Sequence, residues 1–197
     1  MSTTKILTAV FFIVAMFLAW YLYDSINSTI EETKRIERME DDIIDQLKVI
    51  REAQLAFKGV NGSYTSDWDK LINFVDSGNI YIVQRTETII TLAYGADSTS
   101  VTVDTLGSIS VMDSVFNERK FPNFSLESMA YVPGVEPATK FKMWADKIQK
   151  GNILVDVVEV WNPTPVDKTR DAESELNSRK PLRFGSRTSV TTAGNWE

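Results

Sequence analysis

Ile6-Leu7-Thr8-Ala9-Val10-Phe11-Phe12-Ile13-Val14-Ala15-Met16-Phe17-Leu18-Ala19-Trp20-Tyr21-Leu22-Tyr23 is a run of eighteen residues without a charge. As a helix rising about 1.5 Å per residue it spans roughly 27 Å, close to the hydrocarbon thickness of a bilayer. Trp20, Tyr21 and Tyr23 close it with rings that favour the headgroup level. The run is longer than the apolar segment of a cleaved signal peptide, and bulky residues follow it where a small-x-small cleavage site would stand. The reading is therefore an uncleaved membrane anchor over residues 1–23, with Ile6, Phe11, Phe12, Ile13, Phe17, Leu18, Trp20 and Tyr21 facing lipid.

The flanking charges do not orient this anchor. Lys5 precedes it, and Lys34, Arg35 and Arg38 follow it among Glu31, Glu32 and Glu37. A short head before an apolar run is the usual form of a bacterial signal anchor. We therefore expect a single-pass protein of the inner (cytoplasmic) membrane, with its C-terminal part in the periplasm. About 170 residues remain after the anchor, enough for one domain with a real core. The net charge of −6 argues against a nucleic-acid partner, which needs a basic face. With no Cys and no His, thiol chemistry, thiolate metal sites and the commonest general base are all excluded.

Outward from the anchor, residues 24–58 contain no Pro and no Gly before the end and read as a continuing helical stalk or packing helix. Ile36, Ile43, Ile50 and Phe57 recur every seven residues, with Met39 and Ala53 at the companion positions and Gln46 between them. Ile44, Leu47 and Leu55 widen the stripe. Such a stripe either covers a sheet of its own domain or pairs with another helix, and a second copy of this chain is one candidate for that helix.

Residues 59–197 read as an α+β domain with an antiparallel sheet. Gly59 to Ser63 are turn residues, and a helix capped by Ser66 or Asp67 is predicted to run to about Val75. From Ile80 the period becomes that of strands: 80–83, 88–92, 100–103 and 109–111, with a helical turn at 113–116 and a further strand-like run at 126–132. The clearest hairpin joins 140–148 to 152–161, with Phe141, Met143 and Ala145 alternating against Lys142, Trp144 and Asp146. Val158-Glu159-Val160 interrupts the alternation of the second strand. Residues 167–180 are strongly charged and read as a surface helix or mobile loop. The polar tail closes on Trp196, which either folds back into the domain or anchors a partner.

Ile50-Arg51-Glu52-Ala53-Gln54-Leu55-Ala56-Phe57, then Asn61-Gly62-Ser63-Tyr64, then Trp68-Asp69-Lys70-Leu71, resembles the helix-to-loop segment of type IV pilins and type II secretion pseudopilins. The resemblance covers about residues 5–75 and implies a membrane-anchored subunit of a pilus-like or secretion assembly. The pilin processing motif is missing: the apolar run follows Thr4-Lys5 and contains no Glu. The chain also resembles single-pass envelope proteins of similar length that end in G-N-W-E, here Gly194-Asn195-Trp196-Glu197. That likeness supplies no biochemical activity.

The acidic groups offer no chemistry of their own. Asp41 and Asp45 share a helix face, but a straight helix cannot converge the six to eight oxygens that Ca²⁺ takes. Asp97 and Asp104 lack the spacing of a Ca²⁺ loop, and Gly59 to Ser63 lacks the Lys of a phosphate loop. No Ser-x-x-Lys stands out as a nucleophile. We therefore expect no catalytic residue, metal or cofactor. The expected function is that of a non-enzymatic subunit of an envelope-associated assembly, in a secretion, pilus-like or motility apparatus, whose partners are the bilayer and other envelope proteins. A minor pilin or pseudopilin, and a membrane-anchored sensor for a small ligand or peptide, are the alternatives.

Overall fold

The computed structural model describes residues 3–91, 97–122, 124–170 and 179–197. A helix α1, Thr3–Asn61, is followed by α2, Trp68–Ser77, strands β1, Asn79–Thr91, and β2, Asp97–Ser110, and a short helix α3, Val111–Val115. Strands β3, Lys142–Lys150, and β4, Ile153–Trp161, a single 3₁₀ turn at Lys168–Arg170, and β5, Arg183–Gly185, complete the order. The architecture is α+β with two separate antiparallel sheets, β1-β2 and β3-β4-β5. Packing divides the chain into residues 1–42 and 43–197, so the last third of α1, from Ile43 on, belongs to the folded domain.

The core of residues 43–197 is built around that last part of α1. Ile43, Leu47, Ile50 and Ala53 are fully buried. They pack with Leu71 and Val75 of α2, Val111 of α3, Met129, Phe141, Leu182, and Val158, Val160 and Phe184 of the second sheet. Asp67 caps α2, its carboxylate accepting from the Asp69 N–H at 3.0 Å, which satisfies a donor that the first turn leaves open.

In the second sheet β3 and β4 run from the pair Lys142 and Trp161 to Lys150 and Ile153, leaving a two-residue turn, Gly151-Asn152. β5 pairs with the far end of β4, Val160 opposite Phe184. Gly185 sits at φ 78, and a Cβ there would run into the Val158 carbonyl, so only glycine fits. Core-facing Phe141, Met143 and Ala145 alternate with Lys142, Trp144 and Asp146 as the sequence predicts. Val157 to Val160 are all buried, which ends the alternation, because both faces of that end of β4 are covered.

Several local expectations change. The runs at 80–83 and 88–91 are one strand, and those at 100–103 and 109–110 are another. Val111 belongs to α3, whose N-cap is Ser110. Leu92 lies outside the described residues. Residues 126–132 form turns rather than a strand, with one bridge, Tyr131 to Lys140. Met129 and Val132 are apolar there because they are core residues, not because the backbone is extended. Of the charged stretch 167–180, residues 171–178 lie outside the described residues. β5, which periodicity does not reveal, lies in the stretch read as a polar tail.

Candidate functional site

The first candidate surface is the apolar part of α1. Every described side chain from Val10 to Tyr23 is exposed, including Phe11, Phe12, Ile13, Phe17, Leu18, Trp20 and Tyr21. The side chain of Ile6 lies outside the described residues. A window of this helix with mean hydropathy 1.5 is long and apolar enough to cross a membrane, and none of it is buried. A row of large apolar side chains left in water would cost several kcal/mol in total, at about 25 cal/mol per Å². This single N-terminal helix is consistent with single-pass anchoring.

The heptad stripe divides at Ile43. From there on it is core, with Ile43, Leu47 and Ile50 fully buried and Phe57 meeting the ring of Phe74 edge-on at 5.2 Å. Ile36 and Met39 are half-buried and belong to residues 1–42. Leu55, read as widening the stripe, is instead 40% exposed. Gln46 donates to the Met129 carbonyl at 3.0 Å, and buried Gln54 both donates to the Thr65 carbonyl and accepts from the Thr65 N–H. These amides fix two loops onto the helix, which is why Gln46 is tolerated in the stripe and Gln54 in the core beside it.

The tail lies against the same domain. Trp196 packs on the core, and its ring occupies the space that a Cβ on Gly194 would need. Asn195 is held on both sides of its peptide unit. Its N–H donates to the Arg183 carbonyl, its Oδ1 accepts from the Arg183 N–H, and its Nδ2 donates to the Pro181 carbonyl at 2.9 Å. Glu197 takes a 2.6 Å bond from Arg51 of α1, and that bond holds its carboxyl below the usual value. The Nε1 of Trp196 is buried and, among the described residues, has no hydrogen-bond partner.

Sequence reasoning missed a charged cluster on the outer face of β4. The Glu159 carboxylate is buried, yet it receives Arg183 Nη1 and Arg187 Nε at 2.6 Å each. The Arg187 guanidinium lies 4.8 Å from the Trp161 ring centre and 5.5 Å from that of Trp144. The charge is thus paired and roofed by cation–π contacts, as a buried carboxylate requires. The one available signal was Glu159 within an apolar strand. A nearby concavity of about 490 Å³ is lined by Arg170, Arg179, Lys180, Arg183, Asn195 and Trp196. Its arginines are already engaged, Arg183 with Glu159 and Arg179 with Asp167 at 3.3 Å. Among the described residues no cluster of acids could hold a metal ion, and Asp45 pairs with Lys48.

The last candidate surface is the β1-β2 hairpin. Its strands are 13 and 14 residues long, and nearly every described side chain is exposed. The register puts Tyr81, Val83 and Ile89 of β1 on one face with Val101 and Val103 of β2. All five are at least 44% exposed. No family model, no curated protein and no solved structure matches this chain.

Proposed function

We propose that this chain is a non-enzymatic, single-pass membrane subunit of an envelope-associated assembly, acting through protein–protein contacts. Its α+β domain faces the periplasm. The observation that carries the reading is the uncovered apolar run of α1, in which all fourteen residues from Val10 to Tyr23 are exposed and none of the spanning window is buried. The exposed hairpin adds a second surface built for contact rather than chemistry. The test is the full chain carrying, after Glu197, a reporter active only in the periplasm. The protein should stay with membranes through alkaline carbonate extraction, and the reporter should be active. Release into the soluble fraction, or a reporter that is present in membranes but inactive, would overturn anchor or orientation respectively.

A pilin-like filament subunit is the second reading. It is favoured by one feature, a helix that is apolar at its start and core-forming further on. Filaments that sediment after shearing would support it over a fixed subunit.

A further inference from the structure

We propose that the chain self-associates through the free edge of β1, two copies pairing antiparallel about Thr86. The inference names a partner for the hairpin surface and rests on the protein–protein reading above. Among the described residues no strand other than β2 pairs with β1, so one edge of β1 presents unpaired backbone groups over 13 residues. Edge strands are usually protected by Pro, Lys or inward-pointing charge. β1 contains no Pro and no Lys, and an isolated two-stranded ribbon is at best marginally stable in water.

The sequence of this edge is complementary to itself. With Thr86 on the twofold axis, Arg85 of one copy faces Glu87 of the other, and Glu87 faces Arg85. Val83 then faces Ile89, Ile82 faces Ile90, and Gln84 faces Thr88. Both charges and aliphatic pairs match in this one register, as cross-strand pairing favours. Arg85 and Glu87 already lie on one face, 3.1 Å apart within the strand and both exposed. Pairing two copies makes a ring of four alternating charges. A parallel in-register pairing would instead put Arg85 on Arg85.

The other edge does not offer this. β2 has no basic residue, so self-pairing would leave Asp97 and Asp104 unanswered. The register shift opposite Ile82 and Val83 also bends that strand. The resulting sheet has the order β2-β1-β1-β2. The twofold axis is perpendicular to it, so Tyr81, Val83, Ile89, Val101 and Val103 of both copies share one face.

Because the chain contains no Cys, single-cysteine variants report the register directly. In the full chain in membranes under mild oxidation, Thr86→Cys should give a disulfide dimer, since residues directly opposite lie about 4.5–5.5 Å apart. Thr88→Cys should give at least about tenfold less, because the two copies of Thr88 are offset by roughly 13 Å. In the Thr86→Cys background, Arg85→Glu should cut the dimer yield about tenfold, and Arg85→Glu with Glu87→Arg should restore it. Equal yields at 86 and 88, or no dimer from folded, membrane-bound Thr86→Cys protein, would overturn the pairing. Loss of cross-linking with membrane retention and reporter activity unchanged would sink this inference alone and leave the proposed function standing.

Discussion

The β1-β2 hairpin and the β3-β4-β5 sheet are made of the same kinds of residue, yet they end in opposite environments. Val101 and Val103 are 44% and 58% exposed, whereas Val158 and Val160 are 1% and 0% exposed. The strands of the hairpin are the longer ones. What separates the two is what lies on them. β4 has the last third of α1 on one face, a third strand along its edge, and the Arg187 roof over Glu159 on the other face. Among the described residues, Ile80 at the base of β1 is the hairpin side chain packed on the core, and just beyond the strand ends the Val111 N–H donates to the Gly78 carbonyl at 3.0 Å. β-branched composition makes a strand; it does not make a core, because burial depends on a covering layer.

Four substitutions or conditions probe that contrast. The strongest removes the cover itself. Ile43→Asp or Ile50→Asp places a charge in a fully buried site and should cost about 4 kcal/mol or more. Chemical denaturation of the full chain in detergent should show loss of the domain's cooperative transition. An intact transition would mean that α1 does not hold the second sheet. Trp196→Ala should cost about 2–3 kcal/mol, since the ring packs on the core but is not fully enclosed. A tail variant with unchanged melting would show that β5 does not depend on residues 194–197.

The matched pair Val160→Thr and Val101→Thr tests the comparison most directly. The first buries a hydroxyl at a fully buried position and should cost about 1–2 kcal/mol. The second changes a side chain in solvent and should stay within about 0.5 kcal/mol. Equal effects would mean that the hairpin is covered after all.

Acid gives the smallest effect. Hydrogen bonds from Thr169 hold the Asp167 carboxyl below its ordinary value, with Arg179 adding to them, and Arg51 does the same for Glu197. Groups with lowered folded values stabilise fully above the ordinary carboxylate range, and lose that contribution as pH falls through the folded value. The melting temperature should therefore decline from about pH 5 towards pH 3. The decline should be shallower in Glu197→Gln.

Local signals were legible and distant ones were not. The apolar run, a cap at Ser66 or Asp67, a hairpin turn ending at Gly151-Asn152 and the facing of Phe141, Met143 and Ala145 depend on neighbours in the chain, so spacing reveals them; the choice of Asp67 and the extension of β3 to Lys150 it does not. β5 spans three residues and exists because it finds β4, more than twenty residues away, which no period encodes. Glu159 broke the alternation of β4 for the same reason: its partners, Arg183 and Arg187, arrive from far along the sequence. Met129 and Val132 imitated a strand because burial selects apolar residues in turns as well. For the surfaces, a helix long and apolar enough to cross a membrane was readable from composition. The two-sided exposure of the hairpin was not, since an exposed and a buried strand can share one composition.

The bonds around Asn195 have a kinetic consequence. The Gly185 N–H donates to the Ala193 carbonyl, the Asn195 N–H to the Arg183 carbonyl, and the Arg183 N–H to the Asn195 side chain. Those protons can exchange with deuterated water only when the clasp opens, and opening it withdraws the Trp196 ring from the core. The amides of Arg183, Gly185 and Asn195 should therefore stay protonated about as long as those at the centre of β4, rather than exchanging early as loosely held segments do. An amide probe at Asn195 would then report the opening of the whole domain.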